Sequence, residues 1–85
     1  MKRRPDWWDW ELELSPHLLK RMADRDFTEL DVRSMLHGAT RVRRDVEPGR
    51  WIASTHRRRR RWEVIVEPDL EFQVLTVITA YPVSP

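Results

Sequence analysis

The sequence predicts an α+β domain in the order β-α-α-β-β-β-β, a twisted antiparallel sheet with two short helices packed on one face. Three observations predict it. Residues 10–14 alternate apolar and acidic side chains. Two helix-start signals follow, at Ser15 and Thr28, each ahead of an apolar stripe of helical period. From Arg41 onward, β-favouring runs alternate with turn chemistry. Eighty-five residues suffice for one layered core and are too few for two, so residues 10–82 are expected to form a single domain between a loose arm at 1–9 and a short tail at 83–85.

Within the arm, basic, acidic and aromatic residues mix without period. Trp7 and Trp8 are expected to close one end of the core, the alternative being that they stack on bases. In residues 10–14, Trp10, Leu12 and Leu14 fall on one face and Glu11 and Glu13 on the other, the pattern of a half-buried strand. Ser15 then reads as a helix N-cap and Pro16 as the first helical residue, where a missing N–H costs nothing and the fixed φ suits the helix start. Leu18, Leu19, Met22 and Ala23 form the stripe that should face the sheet.

After the break at Asp26 and Phe27, Thr28 and Asp31 resemble a capping box with the shorter acid, opening a second helix through His37. Its buried stripe is Val32, Met35, Leu36 and Ala39. Gly38 is placed to stop it in the left-handed conformation. A strand follows at 41–46, and Glu47-Pro48-Gly49 supplies a hairpin turn. Further strands are expected at 51–56, 62–66 and 73–80, with connections at 57–61 and at Pro68-Asp69. The last run is apolar on both faces and should sit centrally.

Composition narrows the function classes. No apolar run approaches the roughly 20 residues that span a bilayer, and the start lacks the apolar core of a signal peptide, so a cytoplasmic chain without a membrane partner is expected. With no cysteine, thiol catalysis and cysteine-ligated zinc are out of reach, and the three histidines are too scattered to suggest a metal; no cofactor is expected. The net charge of +2 hides an asymmetry. Through Thr40, seven basic residues face eight acidic ones, and from Arg41 nine face six. Fourteen of the sixteen basic residues are arginine, which suits bidentate contact with phosphate.

Three groups of residues could carry chemistry. His17 and Arg21 lie one helical turn apart, so a proton-transferring imidazole and a phosphate-holding guanidinium would share a flank near a helix N-terminus. They suit metal-independent cleavage of RNA; the alternative is a surface histidine, with Arg21 paired to Asp24 or Asp31. Arg57, Arg58, Arg59, Arg60 and Arg61 could clamp a nucleic-acid backbone or form a solvated tip opposed by Glu47, Glu63 and Glu67. His56 beside them is a second candidate acid or base. Thr79 and Tyr81 fall on one strand face, so both hydroxyls could enter one cleft, although β-propensity explains them equally well. His37 is expected to complement the dipole of its helix.

The run of Ser15, His17, Arg21, Met22 and Arg25, followed by Thr28, Glu29, Asp31 and Val32 and by a late strand ending Val77-Ile78-Thr79, resembles a family of small bacterial domains allied to the RelE/ParE-like toxins. The resemblance spans most of residues 10–81. It implies a β-α-α-β-β-β-β fold and a metal-independent ribonuclease cleft between first helix and sheet. There His17 would be the acid or base, Arg21 the phosphate holder, Thr79 and Tyr81 the hydroxyls, and Arg25 a further phosphate contact or an ion pair. It also implies RNA as substrate and an acidic antitoxin protein as partner. The arginine run departs from the family pattern. The rival expectation is a non-catalytic nucleic-acid-binding or protein-interaction module built on that run, with Trp7, Trp8 or Trp51 stacking on bases.

Overall fold

The computed structural model describes residues 4–83, and Met1, Lys2, Arg3, Ser84 and Pro85 of the expected arm and tail lie outside the described residues. A 3-10 helix at Asp6–Asp9 leads into β1 (Glu11–Leu14), α1 (Pro16–Arg25), α2 (Glu29–His37), β2 (Arg41–Arg44), β3 (Trp51–Arg57), β4 (Arg60–Asp69) and β5 (Val74–Pro82). The strands form one sheet in the order β1-β5-β4-β3-β2. This is the predicted α+β arrangement, with one difference: β1 runs parallel to β5, so the sheet is mixed. The two helices between β1 and the hairpins carry the chain across the sheet, which frees β1 to join the far edge in either direction.

Local signals at the helices hold with two exceptions. The Ser15 hydroxyl accepts from the Leu18 N–H at 3.0 Å and donates to the Ile78 carbonyl at 2.6 Å, tying the start of α1 to β5. At α2, the Thr28 hydroxyl accepts from the Asp31 N–H and the Asp31 carboxylate accepts from the Thr28 N–H, a complete capping box. Gly38, however, sits at φ −89°, outside the left-handed region. The left-handed stop belongs instead to Asp26, at φ 56°, whose N–H bonds back to the Met22 carbonyl at the end of α1. Leu19 and Ala23 face solvent, because the tilt of α1 directs Leu18 and Met22, and not their neighbours, at the sheet.

Both helices cover one face. Leu18, Val32, Met35 and Leu36 pack there on Ala53, Trp62, Val64, Val66, Leu75, Val77 and Ala80. Burying each aliphatic side chain contributes roughly 1.5–3 kcal/mol against leaving it exposed. Thr55, the one buried polar residue among the described residues, donates its hydroxyl to the Met35 carbonyl at 2.6 Å. Trp7 is buried and packs between Trp8 and Trp51, so the part of the arm from Asp6 on is an ordered end-cap of the core.

The connections moved more than the strands. The hairpin between β2 and β3 turns on Pro48 and Gly49, with the Arg50 N–H bonded to the Glu47 carbonyl and Gly49 at φ 83°, a type II turn. The expected connection at 57–61 shrinks to two residues. Arg57 pairs with Arg60 in the ladder, and Arg58 and Arg59 adopt φ 53° and 66°, a type I′ turn without the usual Asn-Gly. Pro68 and Asp69 belong to β4, and the turn follows at residues 70–73. β3 begins at Trp51, opposite Val66, so Pro68 falls where β4 has only β5 as a neighbour.

Candidate nucleic-acid interface

Strand alternation sorts the candidate residues between two faces. Ala53, Val64 and Ala80 point to the helices, so Ser54, Glu63 and Tyr81, their neighbours in the chain, point to the open face. Thr79 pairs with Ile65 on that open face; Ile65 is buried yet stands outside the core cluster. His17 and Arg21 are on α1, across the sheet. The expected single cleft of His17, Arg21, Thr79 and Tyr81 is therefore not formed. A bulge between Ile65 and Val66 shifts the register beside Ile78, but it leaves Thr79 and Tyr81 on the helix-free side.

His17 and Arg21 do meet. The Arg21 Nε–H donates to His17 Nε2 at 3.5 Å, on the exposed flank of α1. The pairing considered for Arg21 with Asp31 does not occur, because Asp31 is engaged with Thr28 and Arg57. His37 stands in the last turn of α2, exposed.

Tyr81 has a different partner. Its hydroxyl donates to Glu63 Oε1 at 2.7 Å, and Glu63 Oε2 accepts from Arg43 at 2.9 Å, while Arg43 also donates to the Ser54 hydroxyl at 3.0 Å. Hydrogen bonds from Tyr81 and Arg43 hold the Glu63 carboxyl below its ordinary value of 4.5. Burial and the Glu63 carboxylate push the Tyr81 phenol up from 10.0 to about 12. Tyr81 is the chain's one tyrosine, so the near-ultraviolet absorbance of phenolate reports it alone. The folded protein should titrate near pH 12 and the denatured chain near 10. A raised folded value means that the contribution to stability is complete below pH 10.0 and is lost as pH rises toward 12. Tyr81→Phe should remove that alkaline loss in a denaturation series. Nothing in the sequence marks this network, since its four members come from four strands.

The five arginines do not act as one run. Arg57 turns inward: its guanidinium lies over the rings of Trp62 and Phe27, and Nη2 donates to the Asp26 carbonyl at 3.3 Å and to Asp31 at 3.4 Å. Its Nε is buried without a hydrogen-bond partner. The Asp31 carboxyl is held below its ordinary value first by the Thr28 backbone N–H, with help from Arg57. Arg58 and Arg59 form the tip, and Arg60 lies opposite Arg57 on the helix side. Arg61 lies on the open face opposite His56.

On the helix side these residues make a recess of about 390 Å³ lined by Arg25, Arg57, Arg58, Arg60, Trp62 and Pro82. Arg25 comes from the last turn of α1 and the rest from the hairpin end of the sheet. Four guanidinium groups beside tryptophan and proline give this recess the charge and the hydrogen-bond donors that suit an anion such as a phosphate ester. The tryptophans considered for base stacking are otherwise engaged: Trp7 is buried, Arg4 covers Trp8, and Arg44 covers Trp51.

No helix among the described residues is long and apolar enough to cross a membrane. The chain matches no family model, no curated protein and no solved structure in the three comparisons made.

Proposed function

We propose that the chain binds the phosphate backbone of RNA in the cytoplasm through the arginine-lined hairpin end. One observation carries the reading: the recess in which Arg25, from a different element, joins Arg57, Arg58 and Arg60 beside Trp62. A merely solvated tip would need no such convergence. Arg57 is the fixed floor, anchored by Asp31 and the aromatic rings, while Arg25, Arg58 and Arg60 are exposed and able to close on a ligand. The test is fluorescence anisotropy with labelled single-stranded RNA across a salt series. Binding should weaken linearly in log–log form as salt rises. Absence of binding at low salt would end the proposal.

The backbone of the tip supplies a sharper prediction. Arginine in the left-handed region costs conformational energy that asparagine and glycine avoid. Replacing Arg58→Asn together with Arg59→Gly should stabilise the fold by about 1 kcal/mol, measured by urea denaturation, and weaken RNA binding. Gain of stability with loss of affinity marks residues kept for a ligand.

A second reading adds RNA cleavage without metal, as the RelE/ParE resemblance implies, with an acidic antitoxin as partner. It is favoured by two histidine–arginine pairs, His17 with Arg21 on α1 and His56 opposite Arg61 on the open face. Incubation with RNA in EDTA, beside His17→Ala, Arg21→Ala and His56→Ala, separates them. Loss in the first two places the chemistry on the helix side, and loss in the third places it on the open face. A wild-type chain that binds RNA and releases no product excludes cleavage and leaves binding intact.

A further inference from the structure

We propose that the two edges of the sheet join copies of this chain head to tail, the β1 edge of one copy pairing antiparallel with the β2 edge of the next. In the sheet order β1-β5-β4-β3-β2 the outermost strands each have one side without a strand neighbour. α1 packs on β5, and α2 on β3 and β4, so the helices sit over the inner strands. Both edge strands are four residues long, Glu11-Leu12-Glu13-Leu14 at one end and Arg41-Val42-Arg43-Arg44 at the other. One edge is acidic and the other basic. Glu11, Glu13 and Arg41 are exposed, and none of them is in an ion pair among the described residues.

Backbone parity fixes which residues can meet. The Asp45 N–H donates to the Arg50 carbonyl at 2.9 Å, so by the alternation of an antiparallel ladder Arg43 and Arg41 bond inward to β3. Val42 and Arg44 therefore present their N–H and C=O groups outward. The Ser15 N–H donates to the Val77 carbonyl at 3.1 Å, so Glu13 and Glu11 bond inward to β5, and Leu12 and Leu14 present their backbone groups outward. Setting Val42 opposite Leu12 of the next copy joins outward groups to outward groups. The same register sets Arg41 opposite Glu13 and Arg43 opposite Glu11 on the open face, with Val42 against Leu12 on the helix face, where both pack at the margin of the core. Opposite charges and apolar neighbours directly across a ladder are the pairs that stabilise a sheet.

Charge selects this joint over the symmetric alternatives. Two β2 edges would set arginine against arginine and two β1 edges glutamate against glutamate, and like charges directly opposite are destabilising. Strand direction agrees with it. β1 is parallel to β5 while every other neighbouring pair is antiparallel, so β1 and β2 run in opposite senses within one copy. An antiparallel joint of β2 to the next β1 therefore keeps all copies in one orientation, with their helices on one face. Each copy has a complementary edge at both ends, so joints repeat. Four residues a side are far fewer than the roughly 20 of a stable complex, so the association grows with protein concentration and weakens with salt. It is independent of the RNA reading, since the joint shares no residue with the arginine recess.

The test is sedimentation velocity of the full chain from about 10 μM to about 1 mM at low salt. The sedimentation coefficient should rise with concentration past that of a dimer. Glu11→Lys with Glu13→Lys should weaken association at least about fivefold, and so should Arg41→Glu. All three positions are exposed, so folding should be preserved, as circular dichroism would show. Mixing the two variants should restore association, because the first keeps its β2 edge and the second its β1 edge. Asp24→Lys with Glu71→Lys makes the same change in net charge at exposed positions away from both edges and should leave association nearly unchanged. A chain that stays monomeric at about 1 mM would overturn the proposal, as would association that stops at a dimer. So would undiminished association in either edge variant, a mixture that stays monomeric, or an equal loss in the charge control.

Discussion

Replacing Arg25→Ala, Arg58→Asn and Arg60→Ala together should lower RNA affinity by on the order of 10²- to 10³-fold at about 50 mM salt, and the loss should shrink as salt rises. The reasoning is counterion release. Each phosphate neutralised on a single strand contributes about 0.7 to the slope of log affinity against log salt, so removing three contacts should flatten that slope by about 2. Asparagine is chosen at position 58 because it tolerates the left-handed conformation there, at φ 53°. Alanine at Arg25 and Arg60 removes exposed charge and leaves the core untouched. The control is Arg33→Ala, which removes an arginine paired with Glu29 on the outer surface of α2. It should leave both affinity and slope nearly unchanged, because an exposed pair of this kind contributes little. A loss in the control about one third of the triple variant's on a logarithmic scale, one charge against three, would mean that net charge, and not the recess, governs binding.

Trp62→Ala should be the most damaging single substitution, costing about 3–5 kcal/mol of a total stability on the order of 5–15 kcal/mol. Trp62 is 6% exposed, stands edge-on to Phe27 with ring centroids 5.3 Å apart, and supports the Arg57 guanidinium. Its removal opens a cavity under the hairpin and leaves Arg57 without one of its two rings. In a domain of this size the midpoint should fall by roughly 15 °C or more in a thermal melt followed by circular dichroism. Trp62→Phe, which keeps an aromatic face, should lose much less. Because Arg57 forms the floor of the recess, RNA affinity in Trp62→Ala should also fall at temperatures where the variant is still folded. Unchanged affinity there would show that Arg57 does not need its aromatic support to serve the ligand.

The local elements were legible because their signals lie within a few residues of one another. The serine cap with proline at the next position, the Thr28–Asp31 box and the stripe of Val32, Met35, Leu36 and Ala39 all reappear in the structure. The turn at Pro48 and Gly49 was legible for the same reason. The arginine hairpin was not. A two-residue turn with positive φ at both positions is announced by glycine or asparagine, and here arginine adopts it because Arg57 and Arg60 are already paired in the ladder.

The candidate site was legible only in its inventory. Sequence spacing correctly placed Arg21 against His17, since the helix repeat fixes both on one flank. It placed Tyr81 and Thr79 together on one strand face, again by period, but it had no means to relate that face to α1. The relation depends on which side of the sheet the helices cover, and that follows from burying Ala53, Val64, Val66, Val77 and Ala80 under Leu18 and Val32. Once those residues face the helices, their chain neighbours must face away. Arg25 lines the recess with residues at least 32 positions away, and Glu63 bonds to Arg43 and Tyr81, 20 and 18 positions away. The sequence by itself determined the helices, their N-caps, the apolar faces of the strands and the excess of arginine, because each is settled by local backbone preference and short-range period. Only the tertiary structure decided the parallel placement of β1, the separation of His17 from Tyr81 and the splitting of the arginines between two faces, because each depends on which distant surfaces are buried against one another.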